Sequence, residues 1–150
     1  MRTLNDSYRT LKDRTKRLRY VLAASGRLGE TTRTVPEGLQ ESAQILGRML
    51  GAVEEARQKG NREAWEGYQD HLASLQVQAQ GAAQRLEQAF EALALEWDDA
   101  VNRAGGAWPE MPEGWQVQAQ RWLGEQEYLE ALLERMRTGR VWEKPGADGP

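Results

Sequence analysis

Apolar side chains recur along this chain at steps of three and four, and no segment alternates at strand period. The longest patterned stretch runs without a proline from Asn61 to Ala104. It carries Trp65, Tyr68, Leu72, Leu75, Ala79, Ala82, Leu86, Phe90, Leu93, Trp97, Ala100 and Ala104 in one stripe. From Trp65 to Leu86 the steps alternate strictly, as in a coiled-coil seam, and the step from Leu86 to Phe90 adds a second four, a stutter that relaxes the supercoil. Asn61 after Gly60 is a start signal; Gly105 and Gly106 are a stop, because glycine accepts the left-handed conformation at a helix end. Gly67 and Gly81 each weaken the interior by about 1 kcal/mol relative to alanine, and Gly81 is the expected place for a bend. At about 1.5 Å per residue this helix is roughly 65 Å long and needs cover along its length.

Three shorter helices are predicted around it. The first spans 5–24 with Leu4, Tyr8, Leu11, Thr15, Leu18 and Leu22 in its stripe. The second spans 36–59 with Leu39, Ala43, Leu46, Leu50, Val53 and Ala56. Thr34-Val35-Pro36-Glu37 offers it a capping box with proline in the first turn. Ala43, Gly47 and Gly51, four apart, suggest close approach by a neighbouring helix. The fourth spans 113–138, lined by Trp115, Ala119, Trp122, Leu129, Leu133 and Met136. The expected architecture is all-α, an elongated four-helix bundle of coiled-coil-like character with a long central third helix. Residues 1–139 form one domain, and residues 140–150 are an expected disordered tail in which only Trp142 can dock.

Composition narrows the chemistry. One hundred and fifty residues with a single phenylalanine give a thin core of Leu, Ala and Trp, which suits a bundle. The absence of cysteine removes disulfides, zinc-thiolate sites and thiol nucleophiles. No apolar run approaches a membrane span or a signal core, so a soluble, cytoplasmic protein is expected, with no membrane partner. The one histidine, His71, has no carboxylate at ligand spacing on its helical face. No Glu-x-x-His pair or nucleophile elbow occurs either. No catalytic residue, metal site, cofactor or small-molecule substrate is therefore expected, and the chain is read as a non-enzyme.

The net charge of −3 conceals a split. Residues 1–34 hold nine Lys and Arg against three acids, and the remainder hold eleven against twenty. Arg2, Arg9, Lys12, Lys16 and Arg19 form a line opposite the first helix's apolar stripe. That line suits a solvated face or internal pairing, for which the acidic fourth helix is the natural partner, or a track for nucleic-acid phosphates, with an acidic membrane surface the least favoured for want of a bulky aromatic beyond Tyr8 on the apolar face. Gly26-Arg27-Leu28-Gly29 superficially matches the clamp of a KH domain, but no strands flank it, and a flexible connector is the expectation for residues 25–35.

Two sequence echoes remain. Pro36-Glu37-Gly38-Leu39-Gln40 matches Pro112-Glu113-Gly114-Trp115-Gln116, and Ala43-Gln44 matches Ala119-Gln120 at the same offset. This fits either an old duplication of a helix hairpin or convergent helix-start chemistry. QVQAQ occurs at 76–80 and again at 116–120, where exposed helical glutamines need no function.

Trp65-Glu66-Gly67, following the turn at Gly60 and Asn61, resembles the tryptophan-x-glycine of the small helical-hairpin proteins exported by type VII secretion systems. The resemblance covers about residues 37–104 and implies a helical hairpin with the motif at its turn. This chain departs from that pattern by a helix on each side and by lacking a clear carboxy-terminal export signal.

The functional expectation is a protein-interaction module of assembly, scaffold or inhibitor-like type. It would act through helix surfaces at Trp65, Tyr68, Phe90, Trp97, Trp115 and Trp122, with a protein partner or by self-association. The competing expectation is an accessory nucleic-acid-binding subunit of a nucleoprotein complex, using Arg2, Arg9, Lys12, Lys16 and Arg19.

Overall fold

The computed structural model describes residues 4–142, with side chains described from residue 9 onward. Arg2 and the tail segment 143–150 lie outside the described residues. Four helices make up the chain: α1 (Leu4–Ala24), α2 (Ala43–Gln58), α3 (Arg62–Ala104) and α4 (Trp115–Gly139). The all-α bundle with a long third helix is the observed fold, with no strand among the described residues.

α3 begins and ends where its caps direct. The Asn61 side chain accepts a hydrogen bond from Ala64 N–H at 3.1 Å, satisfying one of the orphan donors of the first turn. Gly105 sits in the left-handed region at φ 58°. The helix runs uninterrupted through Gly67 and Gly81. Leu72, Leu75, Ala79, Ala82, Leu86, Phe90, Leu93 and Ala100 of its stripe are buried, joined by Ala83.

Two short helices in tandem cover this stripe, and this answers the problem of its length. α2 runs antiparallel to the first half of α3, with Ser42 Oγ donating to Gln78 Oε1 at 3.0 Å near one end of α2 and the Lys59-Gly60-Asn61 turn joining the other. α1 runs in the same direction as α3 along its second half, where Arg14 Nη1 donates to Glu87 O at 3.1 Å. α1 and α2 each pack on both α3 and α4, and among the described residues no Cα of α1 comes within 8 Å of one of α2.

α4 lies antiparallel to α3 and is fastened to it by indoles. Trp115 Nε1 donates to Leu93 O at 2.9 Å, Trp122 Nε1 to Leu86 O at 2.7 Å and, from the other side, Trp65 Nε1 to Gly139 O at 3.0 Å. A carbonyl has two lone pairs, so Leu93 and Leu86 take the extra donor without giving up a helix bond, and each buried indole N–H is satisfied. The last carbonyls of α4 are capped by side chains of other helices. Gln69 Nε2 reaches Gly139 O at 3.1 Å and Arg57 Nη1 reaches Thr138 O at 2.7 Å. Trp142 stacks on Trp65 with centroids 5.4 Å apart, so the part of the expected tail that is described is docked.

Four local expectations are corrected. α2 starts at Ala43, not Pro36, because Gly38 adopts φ +92° and residues 36–42 form successive turns, with Leu39 N–H bonded to Pro36 O and Ser42 N–H to Leu39 O. The Thr34–Glu37 capping box does not form. Thr34 is committed elsewhere, its N–H to Gly124 O at 3.0 Å and its hydroxyl to Thr32 O. Nor do Gly47 and Gly51 serve close packing, since nothing stands within 4 Å of a Cβ at either. The close approaches along the helices occur at Gly124, where the backbone of Thr32 crosses α4, and at Gly139, where an added Cβ would stand 3.3 Å from Val53 Cγ1. The connector 25–35 is thus laid against α4 rather than loose. Gln116 and Gln120 of the second QVQAQ contribute, each directing its amide N–H at Arg27 O.

Candidate interaction groove

The stripe aromatics separate into two groups. Phe90, Trp115 and Trp122 are core residues, 6 %, 1 % and 3 % exposed. Their indole bonds and the Phe90–Trp122 contact at 5.7 Å explain why: they are the fastening between helices. Trp65, Tyr68 and Trp97 are partly accessible. Of these, Trp65 is already occupied by Gly139 and Trp142, whereas Trp97 has open space beside it.

That space is a groove of about 560 Å³ between the end of α1 and the second half of α3. Leu18, Val21, Phe90, Ala94, Trp97 and Trp115 line its apolar part, and Lys16, Arg17, Tyr20 and Asp98 complete the lining. Helix register explains the composition. Leu11, Leu18 and Leu22 of α1 turn inward and are buried, which rotates Arg17, Tyr20 and Val21 toward the flank where α3 presents Ala94, Trp97 and Asp98. Trp97 is held from both sides, by Trp115 at 5.3 Å and by Trp108 at 5.7 Å between ring centroids. Trp108 is 52 % exposed, and its indole N–H donates to Ser25 Oγ at 3.1 Å, which ties the 105–112 loop to the end of α1. Tyr20, 69 % exposed, projects into solvent at the groove.

The groove is framed by charge of both signs. Arg14 closes one end, its guanidinium 5.0 Å above the Phe90 ring and 3.6 Å from Glu91. Of the basic line, Arg9, Lys12, Lys16 and Arg19 are exposed on α1. α1 does pack on α4, and within the line Lys12 meets the acidic helix, its positive charge contributing to holding the Glu134 carboxyl below its ordinary value, after the hydrogen bond from Arg137. Among the described residues, no ion pair or side-chain hydrogen bond engages Lys16 or Arg17.

Sequence reasoning missed Tyr20, Val21, Ala94 and Trp108 as lining or neighbouring groups. Tyr20 lies on neither the apolar stripe nor the basic line of α1, and a bulky aromatic on the wet side of a helix was the available signal. His71 is exposed, and no group of three or more His, Cys, Asp or Glu able to hold a metal occurs among the described residues. No helix among them is long and apolar enough to cross a membrane. No protein-family model, curated protein or solved structure matches this chain.

Proposed function

We propose that this is a non-enzymatic helical interaction protein, acting in the cytoplasm as an assembly, scaffold or inhibitor-like module, and that its partner docks in the α1–α3 groove. The observation behind this reading is the groove itself. In a chain that covers its long apolar stripe internally, Trp97 and Tyr20 stand beside about 560 Å³ of open, mostly apolar space. The mix of aromatic anchors with a few polar groups is what interface centres use. A protein partner is favoured over self-association, because a two-fold pairing through this face sets the cationic rim of one copy against that of the other. The test is affinity purification from the native cell, comparing the wild type with Ala94→Arg, which fills the groove. Proteins that co-purify equally with both, the variant being folded, would place the interface elsewhere.

The second reading is nucleic-acid binding through α1. It is favoured by the exposure of Arg9, Lys16 and Arg19 in one line. A salt-dependent binding assay separates it from the first, because phosphate contacts release counterions.

A further inference from the structure

The geometry points to an acidic amphipathic helix, supplied by a different protein, as the occupant of this groove. The inference rests on reading the groove as a protein-docking site and specifies the partner's chemistry. α1 and α3 run in the same direction on either side, so the valley between them is elongated and lies along both axes. Its α3 wall extends from Phe90 to Asp98, about 12 Å at 1.5 Å per residue, which matches the reach of anchors at i, i+3 or i+4, and i+7 on a docking helix.

The lining decides the backbone conformation of the ligand. The Trp115 indole N–H is already spent on Leu93 O, Leu18, Val21, Phe90 and Ala94 have no side-chain donors or acceptors, and the polar groups of the lining, Lys16, Arg17, Tyr20, Asp98 and the Trp97 indole, are single side chains that do not make a backbone ladder. An extended peptide would bring unsatisfied N–H and C=O groups into this apolar valley, and no sheet edge among the described residues could pair with them. A helix satisfies its own backbone and presents only side chains.

Charge then decides composition. Lys16 and Arg17 stand at the groove without an internal partner among the described residues, with Arg9 and Arg19 exposed on the same helix, whereas Asp98 is the one acidic group in the lining. A ligand helix carrying Asp or Glu beside its apolar face places those carboxylates over α1, and a basic one is repelled there.

The full chain should be titrated against fluorescently labelled, helix-forming peptides of about 18 residues, long enough to hold helix in water. One peptide carries Leu at i, i+3, i+4 and i+7 with Glu flanks, one the same leucines with Lys flanks, and one the Glu flanks with Ser replacing Leu. The Leu/Glu peptide should bind about tenfold or more tighter than either other peptide, a difference of about 1.4 kcal/mol. Its affinity should fall with added salt. The exposed double variant Lys16→Glu/Arg17→Glu should invert the preference toward the Leu/Lys peptide, and Ala94→Arg should abolish binding of both with the helical signal retained. Equal binding of acidic and basic peptides, no inversion in the double variant, or no binding of any peptide would overturn the inference. If native partners are still lost with Ala94→Arg in the purification, the docking groove stands and only its assigned ligand chemistry fails.

Discussion

Replacing Gly124 by alanine tests whether the connector is seated on α4. Alanine is ordinarily a gain inside a helix, by about 1 kcal/mol over glycine. At Gly124 the added methyl would collide with the carbonyl oxygen of Thr32 and stand 3.0 Å from Thr34 Oγ1. The obstruction is backbone, so the connector must lift, and the 3.0 Å bond from Thr34 N–H to Gly124 O goes with it. Losing that bond costs about 1 kcal/mol and overpacking about 1–3 kcal/mol, against the helix gain of about 1 kcal/mol. The net is a destabilisation of about 1–3 kcal/mol. At roughly 2–4 °C per kcal/mol for a chain of this size, Tm falls by roughly 2–12 °C. Gly67→Ala and Gly81→Ala are the controls, the same chemical change in α3 with nothing within 4 Å of the new methyl. Each should raise Tm by about 2–4 °C. Thermal melts followed by far-ultraviolet circular dichroism read all three, and hydrogen exchange at the Thr34 amide reads the mechanism. If Gly124→Ala melts at or above the wild type with the Thr34 amide still protected, the connector is not held as described.

Glu125→Gln should show a pH-dependent stability difference. Burial raises the Glu125 carboxyl above its ordinary value, outweighing the hydrogen bond and charge of Arg121, with Glu37 adding to the rise. A raised acid contributes stability that is full below its unfolded value and lost as pH climbs through the folded one. The wild type should therefore lose ground to Glu125→Gln as pH rises above about 4.3 toward neutrality, as chemical denaturation at several pH values would show. Trp122→Phe removes the bond to Leu86 O and leaves a void beside Phe90, and denaturant titration should find a loss of about 1–3 kcal/mol. Light scattering should return the monomer mass of 17.0 kDa, and a concentration-dependent dimer would contradict the like-charge argument against self-pairing. Duplex DNA should not bind at physiological salt; binding with a log–log salt slope of about −3 to −4.5, abolished by Arg9→Glu/Lys12→Glu/Lys16→Glu, would establish the nucleic-acid reading instead.

What was legible in the sequence is what local chemistry decides. Asn61 and Gly105 mark the ends of α3 because capping is settled within four residues, and the stripes of α3 and α4 were readable because a helix buries one face whatever its neighbour. What depended on the neighbour was not readable. Gly47, Gly51, Gly124 and Gly139 are all helical glycines, but only the last two are crossed by another part of the chain, and that follows from topology. Thr34 has the residue type and spacing of a cap and is diverted by Gly124, ninety positions away. Trp97, Trp115 and Trp122 all lie on predicted stripes. Which of them is fastening and which is surface depends on where the end of α1 falls against α3, and no local pattern carries that.

The repeated Pro-Glu-Gly shows the same division between local and tertiary causes. At both sites the chain makes one turn, with the N–H after the glycine bonded to the proline carbonyl at 3.0 and 3.1 Å and the glycine at positive φ, +92° for Gly38 and +77° for Gly114. That is type II turn geometry, which demands glycine at the third position. Both turns bury the next side chain, Leu39 at 0 % and Trp115 at 1 % exposed. The outcomes then diverge, since α4 starts immediately at Trp115 whereas α2 waits until Ala43. A duplicated hairpin would pair α1 with α2 as it pairs α3 with α4. Among the described residues no Cα of α1 comes within 8 Å of one of α2, while α3 and α4 are joined along their length. The echo is therefore one solution to entering a helix, reached twice, with each helix placed afterwards by the face it had to bury.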